Sequence, residues 1–462
     1  MTDEPTGPSA PNEPAATIDG RMPIEDPLTG RAPIEARLAR AGLPLLGRTA
    51  WIEIDTAALA ANLAVLRRMA GAGVAILPVV KADAYGHGMV PVARTLTAAG
   101  ADGLCVATLD EAIVLDDSGL DAPLLVLYPI PASGVVEAAR RGIGIAGGTG
   151  GALEDLLGTA TTAGVADRLS VELEIETGLG RGGVVPEAAV EAARAILATG
   201  ARLGGVWSHL QEAEVVDLTA AQIARFEDAL RRLALAGVEV PRRHLAASAG
   251  ILLGTVPRYD AVRPGLAIYG LVPDELAAAG IGLDELPPAA RELRPILSLH
   301  ARPVRVTDLP EGHGVSYGPT WRAPHASRIA TLPLGYGDGW PRSLSNRAEV
   351  LVRGMRVPVV GNVAMDATMV DVSTVPGRPV DVDDEIVLIG RQGDAEIGAA
   401  EVARWRTTNS WEVVTAMSAR LTRVYDAPAG LTGSRPLAQT ENPWPGSSSG
   451  TATSATWRST PS

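Results

Sequence analysis

One lysine stands out among the charged residues of this 462-residue chain. Of its 40 basic residues only Lys81 is a lysine, and all the others are arginine. Arginine replaces lysine as a surface cation, but it stays protonated and does not form an imine with a carbonyl group in water. A lysine amine does form one, which is the first step of covalent amine catalysis. We therefore predict that Lys81 is retained for chemistry on a carbonyl compound.

The elements around Lys81 predict where it lies. Eight short apolar runs alternate with Ala-rich helical patterns, which is typical of a parallel sheet with helical connections. The predicted strands are Ile76–Val80, Leu104–Ala107, Leu124–Tyr128, Ile143–Ala146, Val171–Ile175, Leu203–Trp207, Arg243–Leu245 and Ala261–Arg263. They indicate an α/β fold, a (β/α)8 TIM-like barrel with its active site at the carboxyl ends of the strands. Lys81 follows the first strand, so we expect it at the barrel mouth, where Gly86 and Gly88 leave backbone room for a ligand. A dinucleotide-binding fold is the weaker alternative, because no G-x-G-x-x-G follows an early strand.

The composition changes at about Arg294, where short β-branched segments separated by Gly and Pro begin. This texture predicts a smaller, mainly antiparallel β domain. Both ends of the chain are rich in Pro, Ser, Thr or acidic residues, although Pro33–Arg48 has a short amphipathic pattern. We therefore predict a disordered tail at 1–48, the barrel at 49–293, the β domain at 294–428 and a second disordered tail at 429–462.

The overall charge and the rare residues exclude several classes of function. A net charge of −13, with acidic residues spread along the chain, disfavours nucleic acid or an anionic membrane as a partner. Cys105 is the only cysteine, so an intramolecular disulfide framework is excluded. The six histidines show no ligand spacing with acids or cysteine, and we expect no metal. No apolar run resembles a signal peptide or a membrane span, so a cytoplasmic location is expected.

The segment VVKADAYGHG around Lys81 closely resembles the cofactor-lysine motif of bacterial alanine racemases, and the resemblance continues in order from Ala50 to Tyr425. It implies pyridoxal 5′-phosphate (PLP) as the cofactor, held covalently by Lys81, which also exchanges the Cα proton on one face of the substrate. By the same match Tyr85 reaches the cofactor phosphate.

The phosphate is expected where barrels usually hold one, at the loops after the seventh and eighth strands. There Ser248 offers a hydroxyl, and Gly265 and Leu266 offer backbone N–H groups. Both loops resemble the phosphate cup of the family. Two departures are Ala247, where the family usually has asparagine, and Ala419, where many members have a phosphate-binding tyrosine.

Further residues take their roles from the resemblance. Arg263, in VRPG, matches the arginine that donates to the pyridine nitrogen, which must then remain an unprotonated acceptor. His209 matches a histidine between this arginine and the catalytic tyrosine. Tyr317, in HGVSYGPTW, matches the second catalytic residue, and racemisation does need acid/base groups on both faces of a planar intermediate. A neighbouring His and Arg are the kind of groups that lower the pKa of a tyrosine.

The substrate side of the site also follows from the resemblance. Arg181, Tyr336 and Met365 match residues that line access to the site or bind the substrate carboxylate. In the family the β domain completes the active site of the partner subunit, so the resemblance implies a head-to-tail homodimer with a composite site.

The segment VELEIETGLGR departs from the family pattern at Glu174, where a lysine, often carbamylated and thus anionic, is expected. Strand alternation places Glu172, Glu174 and Glu176 on one face, which requires pairing or water. Arg181 is the natural partner of Glu174. We interpret Glu174 as a direct replacement for the negative charge of the carbamate.

The resemblance implies a racemase that interconverts L- and D-alanine, with D-alanine supplied to cell-wall peptidoglycan. It leaves three alternatives open. One is a racemase for serine, lysine or a broad range of amino acids. Another is a PLP-binding regulatory protein without turnover, which would not need Tyr317. A decarboxylase on the same scaffold is weaker, because its usual paired domain motifs are not visible.

Overall fold

The computed structural model describes residues 31–147, 151–427 and 430–434. The described chain begins with helix α1 (Ile34–Arg40) and strand β1 (Ala50–Asp55). Ile34 and Leu38 are four residues apart and so share one face of α1. That face is buried against Trp51 and Val424. The described part of the predicted N-terminal tail is therefore ordered by apolar packing.

Eight parallel strands follow, and they form the barrel. They are β2 (Ala75–Ile76), β3 (Leu104–Val106), β4 (Leu124–Val126), β5 (Gly144–Gly147), β6 (Ser170–Glu174), β7 (Arg202–Trp207), β8 (Arg243–Ala247) and β9 (Ala261–Arg263). Their order in the sheet is β2-β9-β8-β7-β6-β5-β4-β3. A parallel bridge between Val79 and Cys105 joins the first strand to the second and closes the ring. The eight predicted strands and the TIM-like barrel are confirmed.

Helices connect these strands and cover the barrel. They are α2 (Thr56–Ala70), α3 (Lys81–Tyr85, a left-handed turn), α4 (Met89–Ala98), α5 (Leu109–Asp117), α6 (Val135–Arg141), α7 (Gly151–Thr162), α8 (Ala189–Ala198), α9 (Val216–Leu235), α10 (Ser248–Leu253) and α11 (Asp274–Ala278). Short 3₁₀ turns occur at Ala132–Gly134, Ala166–Arg168, Pro186–Ala188, Leu266–Tyr269, Pro288–Glu292, Tyr336–Asp338 and Arg342–Leu344. Within the described ranges, no helix is both long and apolar enough to cross a membrane.

The second domain is mainly antiparallel, as predicted. Its strands are β10 (Leu297–Ala301), β11 (Arg305–Leu309), β12 (Gly314–Val315), β13 (Trp321–Arg322), β14 (Ser327–Leu332), β15 (Glu349–Val352), β16 (Met355–Pro358), β17 (Thr368–Asp371), β18 (Ile386–Gln392), β19 (Ala395–Ile397), β20 (Thr422–Ala427) and β21 (Gly430–Ser434), with helices α12 (Ala399–Arg406) and α13 (Ser410–Thr415). The largest sheet has the order β16-β15-β18-β10-β1-β20-β21, with β19 beside β18. Strands β11, β14 and β17 form a second sheet, and β12 and β13 form a hairpin.

The structure moves the predicted boundaries in two places. Strand β1 lies in the large sheet of the second domain, antiparallel to β10 and parallel to β20, so residues 50–55 do not belong to the barrel. Strand β21 pairs with β20, which removes residues 430–434 from the predicted C-terminal tail. Residues 1–30 and 435–462 of the two predicted tails lie outside the described residues.

Candidate active site

Lys81 begins an unusual turn at the barrel mouth. The four residues after it, 82–85, have positive φ angles between 52° and 55°. This left-handed conformation costs about 1–2 kcal/mol for each residue that has a Cβ. Backbone hydrogen bonds from Ala84 N–H to Val80 (2.9 Å) and from Gly86 N–H to Ala82 (3.0 Å) close the turn. Such backbone strain persists only where the surrounding structure holds it, and it is concentrated at functional sites.

Strand β20 of the second domain holds the turn in place. Arg423 is buried and donates from Nε to the carbonyl oxygen of Gly86 at 2.7 Å. Tyr425 donates its hydroxyl to the carbonyl oxygen of His87 at 3.1 Å. A Cβ at Gly86 would overlap a backbone carbonyl of the C-terminal region, and one at Gly88 would overlap the Tyr425 hydroxyl. The missing side chains of these two glycines therefore leave space for the second domain. The sequence predicts that they leave space for a ligand, and that prediction is wrong.

Three loops converge on a small polar cup. The hydroxyl of Ser248, at the start of α10, accepts the N–H of Gly265 (3.0 Å) and of Ala267 (3.1 Å). Tyr85 is buried, and a Cβ at Gly265 would lie only 2.6 Å from its hydroxyl oxygen. Leu266 opens a 3₁₀ turn, whose first N–H groups have no partner within the turn. The predicted phosphate residues Tyr85, Ser248, Gly265 and Leu266 thus lie together.

These residues fit pyridoxal phosphate. The cup combines hydroxyls with backbone N–H groups at the start of a helical turn, a donor set that suits a phosphate. A side chain at Gly265 would fill the cup and exclude the ligand. Lys81 supplies the amine for a covalent link, and Arg263 supplies a buried donor.

Arg263 is tightly held at the end of β9. It is buried, and its Nη2 donates to the carbonyl oxygen of Ser208 at 2.7 Å. Its Nη1 donates to the carbonyl oxygen of His244 at 3.1 Å and to Nδ1 of the same histidine. The guanidinium carbon lies 4.8 Å from the ring centre of Trp207. Burial lowers the pKa of Arg263 to about 10, so it remains a cation at neutral pH. The sequence did not single out His244, because its partners are distant along the chain.

His209 follows β7 and is half-buried. Burial and the positive charges of Arg263, Arg181 and Lys81 lower its pKa to about 3, so it is neutral. Within the described chain, no hydrogen bond joins the His209 side chain to Arg263 or Tyr317, although the sequence places it between them. In the same described part, no group of three or more His, Cys, Asp or Glu side chains is arranged to hold a metal ion.

The three acidic residues of β6 and its extension each have a partner. Glu172 accepts from His244 and from Arg242. Glu174 is buried and lies 3.5 Å from a terminal nitrogen of Arg181, which confirms the predicted pair. Glu176 accepts the backbone N–H groups of residues 178 and 180. Burial raises the pKa of Glu174 above the ordinary value, although Arg181 opposes this shift.

Tyr128 is a site residue that the sequence analysis missed. It follows β4, and its ring centre lies 5.7 Å from Lys81 Nζ and 5.2 Å from the guanidinium carbon of Arg181. The ring therefore lies between the predicted catalytic amine and the predicted carboxylate-binding group. The sequence predicts it only as the end of a strand, because its position relative to two distant loops has no signal in local sequence.

The second domain carries its predicted site residues on a separate surface. Asn362 donates from its side-chain amide to the carbonyl oxygen of Tyr317 at 2.8 Å, and Gly337 N–H donates to Met365 at 3.0 Å. Tyr317, Met365 and Tyr336 are 76%, 52% and 44% exposed. Among the described residues, no hydrogen bond, ion pair or ring contact joins these three side chains to Lys81 or to the cup. One chain thus contains two separate halves of the predicted site.

The comparisons with known proteins agree with the fold. The chain matches the families described as "Alanine racemase, N-terminal domain" over residues 54–273 and "Alanine racemase, C-terminal domain" over residues 296–425. The alanine racemase of Symbiobacterium thermophilum is 41% identical over 385 residues, which cover 82% of this chain and 97% of that protein.

Solved structures show the same similarity. The crystal structure of alanine racemase from Bacillus anthracis with bound L-Ala-P is 33% identical, with a TM-score of 0.75, and the match covers 85% of this chain and 98% of that one. A histidine racemase from Leuconostoc mesenteroides is 30% identical, with a TM-score of 0.74, over 83% of this chain and 99% of that one. Family matches over both domains and a relative at this level of identity lead to one conclusion. The chain belongs to the alanine racemase family.

Proposed function

We propose that this protein is a PLP-dependent isomerase that interconverts L- and D-alanine and supplies D-alanine for peptidoglycan. The observation that carries the proposal is the position of Lys81, the only lysine, on a strained turn at the barrel mouth of a chain whose relatives are named alanine racemase. Arg181, Arg263 and the Ser248 cup converge on the same mouth. A cytoplasmic location is part of this proposal.

The chain's own residues divide the work as follows. Bound pyridoxal phosphate withdraws electrons from Cα of the amino acid and so makes its proton acidic. Lys81 holds the cofactor and moves the Cα proton on one face. Tyr317 moves it on the other face, because inversion at Cα requires that the proton leave from one face and return on the opposite face. Arg181 holds the substrate carboxylate, and Arg263 donates a hydrogen bond to the pyridine nitrogen.

In our proposal, Tyr317 completes the site of the partner subunit and not the site of its own chain. Its side chain is 76% exposed, and within the described chain no hydrogen bond or ring contact joins it to Lys81 or the cup. The same surface carries Tyr336 and Met365, which are also exposed. A two-fold symmetric pair of chains would bring each such surface to the partner's barrel mouth. We therefore propose a head-to-tail homodimer with two composite sites.

A panel of amino acids tests the proposed substrate. We expect the purified protein, loaded with pyridoxal phosphate, to racemise L-alanine with the highest kcat/KM among alanine, serine, lysine and histidine. Histidine is included because a histidine racemase is among the similar structures. Faster racemisation of a larger amino acid would replace alanine as the substrate. A protein that binds the cofactor but racemises none of the four would support the regulatory alternative.

Glu174 gives a separate prediction about the substrate carboxylate. Loss of the partner of a buried charge costs about 3–5 kcal/mol, but Arg181 is partly exposed, so water offsets much of this cost. We expect Glu174→Gln to raise KM for alanine about tenfold, equivalent to about 1.4 kcal/mol. Glu176→Gln is the matched control, because it removes a neighbouring negative charge that binds backbone N–H groups rather than an arginine, and its amide oxygen still accepts one of those two N–H groups.

The pH dependence of KM sharpens this test. Because burial raises the pKa of Glu174, this carboxylate becomes protonated on acidification at a higher pH than an ordinary glutamate does. Wild-type KM should therefore rise toward acidic pH, and the Glu174→Gln variant should lack that rise. Bicarbonate should not affect the wild type, whereas Glu174→Lys should regain part of its activity when bicarbonate allows carbamylation. Unchanged kinetics in Glu174→Gln would mean that the charge of Glu174 has no role in binding the substrate carboxylate.

A further inference from the structure

Four buried or half-buried polar side chains form a continuous series of contacts in the barrel, and Arg263 is the last of the four. Arg242 donates to one oxygen of Glu172, and the other oxygen contacts Nε2 of His244. Nδ1 of His244 then contacts Nη1 of Arg263. Glu172, His244 and Arg263 are at most 2% exposed, so the contacts among these three side chains are shielded from water.

The partners of His244 fix its protonation by elimination. Arginine has only N–H donors, so Nδ1 of His244 must accept from Arg263 and carries no proton. A histidine ring keeps at least one proton, which must therefore lie on Nε2. Nε2 then donates to Glu172, whose other oxygen accepts from Arg242. With both oxygens accepting, Glu172 is an ionised carboxylate.

The pKa directions and the stacking agree with this assignment. Burial lowers the pKa of His244 to about 4, so the ring is neutral. Contacts with His244 and Arg242 lower the pKa of Glu172 to about 2 in spite of burial. The indole of Trp207 stacks on the His244 ring at 6.0 Å between centres, with 8° between the planes. The ring is thus held in one orientation as well as in one tautomer.

We infer that Glu172 is a positioning residue, which locks His244 as the Nε2–H tautomer and thereby makes Nδ1 a fixed acceptor that orients Arg263. The two terminal nitrogens of Arg263 are bound to protein acceptors. Within the described residues Nε has no protein partner, so it is the donor left for the cofactor. A rotated or reprotonated His244 would release Arg263. The catalytic consequence rests on the proposed function, whereas the tautomer does not.

The first experiment reads the tautomer directly. Nitrogen-15 NMR of the cofactor-loaded protein with labelled histidine has only six residues to resolve, and the His244→Gln variant identifies the His244 signals. We expect the neutral Nε2–H tautomer from pH 6 to 9. The groups that act on the ring are Glu172, Arg242 and Arg263, with Asp260 close by. An imidazolium or an Nδ1–H tautomer in the wild type would overturn the proposal, whatever the activity.

The second experiment separates positioning from stability. Glu172→Gln should disturb the His244 signals and the absorption spectrum of the bound cofactor, and lower kcat/KM by about tenfold or more, the loss expected for one charge-assisted hydrogen bond. Glu53→Gln is the matched control. Glu53 is also a buried glutamate, with a pKa lowered to about 2, that is bonded to an arginine, Arg37 at 2.7 Å. The Glu53→Gln substitution should lower the stability of the protein and leave the cofactor absorption spectrum and kcat/KM unchanged. Equal effects of both variants on kcat/KM would contradict the inference.

Two substitutions of His244 keep the test open if Glu172→Gln does not fold. A glutamine side chain can accept from Arg263 with its oxygen and donate to Glu172 with its nitrogen, whereas leucine can do neither. We expect His244→Gln to retain at least about tenfold more kcat/KM than His244→Leu, and a cofactor spectrum closer to the wild type. Equal losses in both variants would show that His244 matters only as a core side chain. If no variant or wild type racemises any amino acid but the tautomer is as expected, the proposed function fails and the positioning role stands.

Discussion

Substituting Lys81 with arginine is expected to abolish alanine racemisation, with a loss beyond about 10⁴-fold in kcat/KM. Arginine keeps the positive charge but neither links covalently to the cofactor nor accepts a proton at neutral pH. The left-handed turn at residues 82–85 and its contacts with Arg423 do not involve the Lys81 side chain. The variant should therefore fold and lose chemistry alone.

The position of the cofactor label tests this prediction without ambiguity. Borohydride reduction of the wild type should fix the cofactor on Lys81, and no other lysine competes for the label. Peptide mapping by mass spectrometry checks the position, and Lys81→Arg should carry no label. A wild-type protein that binds no pyridoxal phosphate, or a label on another segment, would contradict the account.

Replacing Tyr317 with phenylalanine should lower racemisation in both directions by about 10²–10⁴-fold, the usual contribution of one acid/base group. Because Lys81 remains, the covalent cofactor link and its absorption band should persist. Tyr317 is 76% exposed in one chain, so loss of its hydroxyl leaves no buried polar group without a partner there. Stability should therefore change little.

Proton exchange distinguishes a missing base from a damaged site. In deuterated water, Tyr317→Phe should still exchange the Cα hydrogen of one enantiomer of alanine through Lys81, without forming the other enantiomer. Tyr259→Phe is the matched control, because the Tyr259 hydroxyl bonds Glu227 outside the predicted site. Near-normal racemisation by Tyr317→Phe would show that the two-base assignment is wrong.

The barrel could be predicted because its strands carry their signal locally. Short apolar runs such as Leu124–Val126 and Ala261–Arg263 are bounded by turns and Ala-rich helices, and the sheet repeats that pattern eight times. The position of Lys81 follows from the same local pattern, since the carboxyl ends of barrel strands form the mouth.

The remaining features depend on contacts between distant segments. Strand β1 has no local signal for its membership of the second domain, because its neighbours begin at Leu297 and Thr422. His244 meets Glu172 across 72 residues of chain, so spacing rules for motifs do not find it. The left-handed turn at residues 82–85 contains no glycine, the residue that normally signals such a conformation.

Mixing two inactive variants tests the central claim most directly, namely that Lys81 of one subunit and Tyr317 of the other form one racemising site. Differently tagged Lys81→Arg and Tyr317→Phe proteins are exchanged into mixed dimers, and L-alanine racemisation is measured after purification through both tags. Each mixed dimer has one site with both wild-type residues and one with neither. After full subunit exchange, half of the dimers are mixed, so the unpurified mixture should have about a quarter of wild-type activity. The purified mixed dimers should have about half of it. Mixed dimers that are as inactive as their parents would contradict the composite site.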